Sequence, residues 1–283
     1  MLRNVTTVLA ALLIAVANGA HAQSSRPQFE VASVKPSAPG RQGLMEMQPN
    51  GRFVAYAATV RNLLTTAYRM RNFQVVGGPG WIDSDRYDIE ARAEEGSIPP
   101  PTGFPDPNVP GPIEIRIQSL LENRFQLQVH RETRELPVYE LLVAKKGSTM
   151  KLSDDQTVQL RAPGDPPPQR AGSLPRGSMR AGRGNLEANA LPFTNFVSAL
   201  SGITGRKIVD KTGLTGFYDI KLQWTPDPVP ADAAAPRPEL SPVDSNGPSL
   251  FTAIQEQLGL KLEGSKGPVE VLVIDSVQKP TEN

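Results

Sequence analysis

Val60, Leu63, Leu64 and Ala67 fall at i, i+3, i+4 and i+7, the apolar stripe of an amphipathic helix. Phe193, Phe196, Val197 and Leu200 repeat that spacing 133 residues later (193 − 60). A glycine-led extended segment precedes each stripe, Gly51-Arg52-Phe53-Val54-Ala55 and Gly184-Asn185-Leu186-Glu187-Ala188. The same tripeptide follows each, Tyr87-Asp88-Ile89 and Tyr218-Asp219-Ile220, at a separation of 131 residues (218 − 87). Further along, Ile113, Ile117 and Leu121 share one helical face behind Pro112, a favoured first-turn residue. Leu250, Ile254 and Leu258 have the same spacing behind Ser249, a good N-cap. Alternating strands come next, at Phe125, Leu127 and Val129 in one half and at Leu260 and Leu262 in the other. Two strands that open on Pro-Val, at Pro137 and at Pro268, close the pattern, again 131 residues apart (268 − 137).

This order predicts an α+β fold made of two copies of a strand-helix-strand-strand-helix-strand-strand unit, with mixed or antiparallel sheets and helices on one face. Residues 29–36 (FEVASVKP) alternate apolar and polar side chains and end at a proline, as an edge strand does. Proline (28) and glycine (24) gather at 96–112, 162–184 and 225–248, stretches without apolar periodicity that read as loops or linkers. The predicted organisation is a signal peptide at 1–22, a first unit with its N-terminal strand at 23–144, a flexible linker at 145–183 and a second unit at 184–278. Arg161, Arg170, Arg176, Arg180 and Arg183, against Asp165, make that linker basic, and it reads as solvated chain open to trypsin.

The N-terminus fits an export signal. Arg3 supplies the positive start, residues 8–16 (VLAALLIAV) are apolar but too short to span a bilayer, and Ala20-His21-Ala22 is an A-x-A site that places cleavage between Ala22 and Gln23. No later segment has the length of a membrane span, so a periplasmic or secreted chain is expected. Losing Arg3 leaves 29 of the 30 basic residues against 29 acidic ones, a balance that argues against a nucleic-acid partner. Cysteine is absent, which excludes disulfides, thiolate metal sites, a cysteine nucleophile and a lipid-bearing cysteine.

Several long motifs carry a resemblance: FEVASVKP behind the signal, Gly78-Pro79-Gly80-Trp81-Ile82 ahead of RYDIEA, RFQLQVHRETRELPVYEL at 124–141, VDKTGLTGFYDI at 209–220 and EVLVIDSVQKP at 270–280. Together they resemble a family of uncharacterised exported proteins expanded in soil bacteria, especially Acidobacteria. The resemblance covers nearly the whole mature chain and implies a domain of unknown function. A similar domain stands behind some membrane metallopeptidases of the β-lactam-sensor type, which points to sensing or scaffolding. No catalytic or ligand residues come with it. At the level of fold, the strand-helix-strand units look like the small periplasmic modules of secretins and TonB-dependent receptors.

The residues themselves supply little catalytic chemistry. His130 is the one histidine of the mature chain, no G-x-S-x-G elbow accompanies it, and it reads as a strand-end histidine. Ser148-Thr149-Met150-Lys151 and Lys211-Thr212-Gly213 spell two marks of penicillin-interacting enzymes, but the serine follows a strand instead of opening a helix. Asp83, Asp85 and Asp88 lack the glycine and distal glutamate of a calcium loop, so neither metal nor cofactor is expected. Trp81, Tyr87, Tyr218 and Trp224 are the candidate binding surface, as aromatics beside polar turns suit a peptide, a carbohydrate or an envelope protein, with core packing the more common fate of such tryptophans. The expected function is therefore a non-catalytic exported binding or interaction module. The alternative is a hydrolase of extracytoplasmic polymer that works through a pair of carboxylates.

Overall fold

The computed structural model describes residues 26–48, 50–99, 104, 106–157, 174–226 and 247–280. The predicted signal peptide, Arg161 and Arg170 lie outside the described residues. In chain order the elements are β1 (Val31–Pro36), β2 (Leu44–Met47), β3 (Arg52–Thr59), α1 (Val60–Ala67), β4 (Val75–Gly77), α2 (Trp81–Ser84), β5 (Arg86–Arg92), α3 (Pro112–Phe125) and β6 (Gln128–Val143). They continue with β7 (Lys151–Leu152), β8 (Ser178–Gly182), β9 (Asn185–Pro192), α4 (Phe193–Thr204), β10 (Ile208–Asp210), β11 (Phe217–Gln223), α5 (Leu250–Leu258) and β12 (Leu260–Ser276). The fold is α+β.

The helices form where the apolar stripes fall. Val60, Leu63, Leu64 and Ala67 of α1 are all buried. Thr59 and Asn62 close the start of that helix reciprocally: the Asn62 N–H donates to the Thr59 hydroxyl, and the Thr59 N–H to the Asn62 side chain. Pro112 opens α3, and Ser249 caps α5 by accepting from the Thr252 N–H. Gly259 ends α5 at φ 64°, where a Cβ would lie 2.2 Å from the Gly147 carbonyl, so both conformation and space require glycine.

The two halves arrange these elements in the same way. Antiparallel strands give one sheet in the order β1-β5-β3-β2 and another in the order β7-β11-β9-β8. Tyr87 and Tyr218 occupy β5 and β11, the second strand of each. β1 is an edge strand. β7 and β8 lie inside the stretch that composition reads as a linker, so sheet pairing reaches into 145–183 from both ends. Arg176 lies there too and donates to the carbonyl of Asp155 at 2.8 Å.

The repeated Tyr-Asp-Ile has a structural reason. In both sheets the central strand carries one extra residue, between Ala55 and Ala58 on β3 and between Ala188 and Leu191 on β9. Each bulge holds a buried alanine at positive φ, Ala57 at 48° and Ala190 at 45°. The aspartate on the neighbouring strand accepts that alanine's N–H, Asp88 at 2.9 Å and Asp219 at 2.9 Å. Removing the acceptor strands a backbone donor inside the sheet. Asp88→Ala and Asp219→Ala should each cost about 1–3 kcal/mol in denaturant unfolding. A loss near zero at either position would refute the bulge-holding role. Desolvation pushes the Asp88 carboxyl up, but the Ala57 N–H, the Ser37 hydroxyl and Arg41 outweigh it and hold the group below the usual carboxylate range. Its contribution to stability is therefore complete above the ordinary aspartate value of about 3.9 and fades as pH falls through the lower folded value.

A third sheet joins the halves, in the order β10-β6-β12-β4. Its centre departs from the sequence expectation. The two strands predicted at the end of each unit merge into one, 16 residues long in β6 and 17 in β12, so each unit ends on a single strand. β6 and β12 pair antiparallel along nearly their whole length, with Leu136 opposite Gly267. Those two residues are 131 apart (267 − 136), the separation of the Tyr-Asp-Ile pair, so a local two-fold axis passes between them. About this axis β4 of the first half runs parallel to β12, and β10 of the second half runs parallel to β6. The cores follow the exchange. Leu272 and Ile274 of β12 pack with α1 and α3 side chains such as Leu63, Leu64 and Ile117. Leu141 of β6 packs with Phe196, Ile254 and other side chains of the second half.

Candidate functional site

The two-fold arrangement places the end of α1 and the following 3-10 turn (Asn72–Gln74) beside α4 and β10. Between them lie two adjoining cavities of about 630 and 220 Å³ that share Arg69, Arg71 and Phe73. The larger one has an apolar patch of Met47, Met70 and Pro107 beside Thr65, Thr66, Asn72 and Glu114. Thr194, Ser198, Ser201, Lys207 and Asn108 give the smaller one mostly polar walls.

The local chain explains how the arginines arrive there. α1 ends at Ala67, and Arg69 continues in the left-handed region at φ 54°. α4 is 12 residues long against 8 in α1 and ends through Gly205 at φ 65°. An L-residue in that conformation costs about 1–2 kcal/mol, which the Arg69 side chain offsets. Arg69 forms an ion pair with Glu114, a residue only 4% exposed whose carboxylate would otherwise be buried and unpaired. Two residues on, the Nη2 of Arg71 donates to the Ser198 carbonyl at 2.8 Å and to its hydroxyl at 2.7 Å. Gly202 makes room for this guanidinium, because a Cβ there would come within 3.3 Å of Arg71 Nη1. Burial, and then the neighbouring Arg69, lower the pKa of Arg71; a guanidinium nonetheless stays charged at physiological pH.

The charges at the cleft are unevenly satisfied. Glu114 is taken by Arg69, and Asp210 accepts from the Thr212 N–H at 2.8 Å and hydroxyl at 2.7 Å. Arg71 and Lys207 have no carboxylate partner among the described residues. The cleft therefore offers cationic donors, serine and threonine hydroxyls and a flanking apolar wall. It suits an anion attached to an apolar body.

The aromatic candidates are not brought together. Tyr87 is buried edge-on to Phe125 at 5.2 Å, and Tyr218 is buried against Phe193 at 5.6 Å. Burial raises the pKa of both phenols. Trp224 belongs to the second core, and its backbone N–H donates to the Gly184 carbonyl at 2.8 Å. These three are core residues, which corrects their reading as an exposed surface. Trp81 alone is half-exposed, and Lys279 Nζ lies 5.6 Å from its ring centre while pairing with Asp85 at 2.6 Å.

The other chemical candidates resolve into local contacts. Asp83, Asp85 and Asp88 pair with three different cations, Arg61, Lys279 and Arg41. His130 Nδ1 meets both oxygens of Asp275, at 2.9 and 3.0 Å, on an exposed strand. That hydrogen bond raises its pKa. Ser148 donates to the Leu258 carbonyl at 3.4 Å, and Lys151 lies 3.7 Å from Asp219, so neither begins a helix nor faces the other as a serine enzyme requires. Arg69, Arg71 and Lys207 are absent from the sequence-derived candidates. The available signal is Tyr68-Arg69-Met70-Arg71, a helix exit with no glycine and two arginines in its place.

The chain belongs to a family described as proteins of unknown function (DUF3738), whose model matches residues 61–277. No curated protein and no solved structure matches it.

Proposed function

We propose that this family member is an exported binding module whose ligand sits in the cleft between its two halves. The observation that carries the reading is Arg71. Its guanidinium is half-buried, is held by Ser198 of the opposite half, and faces the cavities without a carboxylate partner among the described residues. A cationic group positioned this way loses hydration that a ligand restores. Export is supported by the short apolar run and the A-x-A site, which leave Gln23 first. Sensing or scaffolding in the bacterial envelope is the setting implied by the sequence resemblance. The carboxylate hydrolase finds no support at this cleft, where Glu114 and Asp210 are both committed to other partners.

Thr194 tests the reading because it is exposed, begins α4 and lines the smaller cavity. Tagged residues 23–283 are incubated with envelope extract beside the Thr194→Trp variant, and bound small molecules and proteins are identified by mass spectrometry. A species enriched by the wild type and lost in the variant is expected. Equal recovery by the two proteins, or recovery by neither, refutes the cleft as the binding site.

A further inference from the structure

The two adjoining cavities set cations and hydroxyls beside an apolar patch, and that combination specifies a ligand class. The smaller holds Lys207 with Ser198, Ser201 and Thr194 around Arg71. The larger adds Met47, Met70 and Pro107 beside Phe73. Arg69, Arg71 and Phe73 line both, so the cations stand directly beside the methionine and phenylalanine side chains of one continuous cleft. Ser198 occupies only Nη2 of Arg71, which leaves the charge and the Nη1 and Nε donors. A volume of about 630 Å³ is far more than an inorganic anion fills, and it lies within the roughly 300–1,000 Å³ of small-molecule sites.

We infer that the cleft binds a monocarboxylate with an apolar body, the carboxylate at Arg71 and Lys207 and the body against Phe73, Met47 and Met70. This rests on the cleft being the binding site and adds the chemistry of what enters it. Both cations serve one negative group. The third cation at the cleft, Arg69, is already paired with Glu114, so a second anionic group on the ligand would be buried without a free partner.

Three probes separate head from body in calorimetric titration of the mature chain at pH 7. 4-Phenylbutyrate has both, 4-phenylbutanamide has the body with a neutral head, and acetate has the head alone. 4-Phenylbutyrate should bind at least tenfold more tightly than either of the others. Arg71→Gln should weaken it at least tenfold, in keeping with a lost charge-assisted hydrogen bond. Should that variant fail to fold, Lys207→Met on the half-exposed approach to β10 should reduce binding severalfold. The inference is overturned if the amide binds as tightly as the acid, if acetate matches 4-phenylbutyrate, or if neither foldable variant changes affinity. No binding of 4-phenylbutyrate up to about 10 mM also overturns it. Failure here alongside Thr194-dependent capture leaves the cleft as a site for some other ligand. Failure of both removes the site itself.

Discussion

Leu272→Ala should destabilise the protein by about 2–5 kcal/mol, the range for truncating a fully buried leucine in a core that cannot collapse around the gap. Leu272 is 0% exposed. It lies on β12, late in the second half of the chain, yet its neighbours are the core of the first half. The mirror change is Leu141→Ala on β6, whose side chain belongs to the second core. Each truncation therefore opens a cavity in the half that does not encode it. Because β6 and β12 serve both cores, unfolding of residues 23–283 in urea should remain one transition in both variants, its midpoint lowered as a whole. Two separated transitions, or a loss below about 1 kcal/mol at either site, would show that the halves are energetically independent.

Cutting the chain between the halves should not part them. A specific protease site inserted between Gly164 and Asp165, outside the described residues, yields one fragment that ends beyond β7 and one that begins ahead of β8. The first supplies β6 and β4 to the central sheet, and the second supplies β12 and β10, so every neighbouring pair in that sheet joins the two fragments. The loop at Phe104 adds a further crossing, with its ring 5.3 Å from that of Phe217. After cleavage the fragments should co-elute in gel filtration at the size of the intact chain and separate only in denaturant. Separation in native buffer would mean that the central sheet contributes far less than its length implies.

The helices were legible because each has one apolar stripe and a punctuated start, and those signals are local. The matched order of elements was legible for the same reason. The long strands were not. Pro137 and Pro268 read as strand openings because proline lacks the N–H that a sheet interior uses. Both nevertheless sit inside continuous strands, opposite Lys266 and Glu135. The Tyr139 N–H donates to the Lys207 carbonyl at 2.9 Å, so residues two apart from Tyr139 turn their N–H groups away from β12. β10 begins pairing only at Tyr139, which leaves Pro137 a local edge position where no donor is needed. The aromatic candidates failed for a different reason. Polar turns flank Tyr87 and Tyr218, but strand alternation turns both rings into the cores. Arg71 and Ser198, in contrast, are 127 residues apart and meet only because the halves pack about a two-fold axis.

That axis is imperfect at its centre. Leu136 and Gly267 hold equivalent places in the two halves and face each other across the strands. A Cβ at Gly267 would already touch Val138 at 3.5 Å. Were β6 of one molecule to align with β6 of another in this register, a second leucine would have to grow from a position where a Cβ already touches Val138. Were β12 to align with β12, two glycines would leave the leucine's place empty. Only the pairing of unlike halves fills the position once, and it favours a strand's own chain over its copy elsewhere.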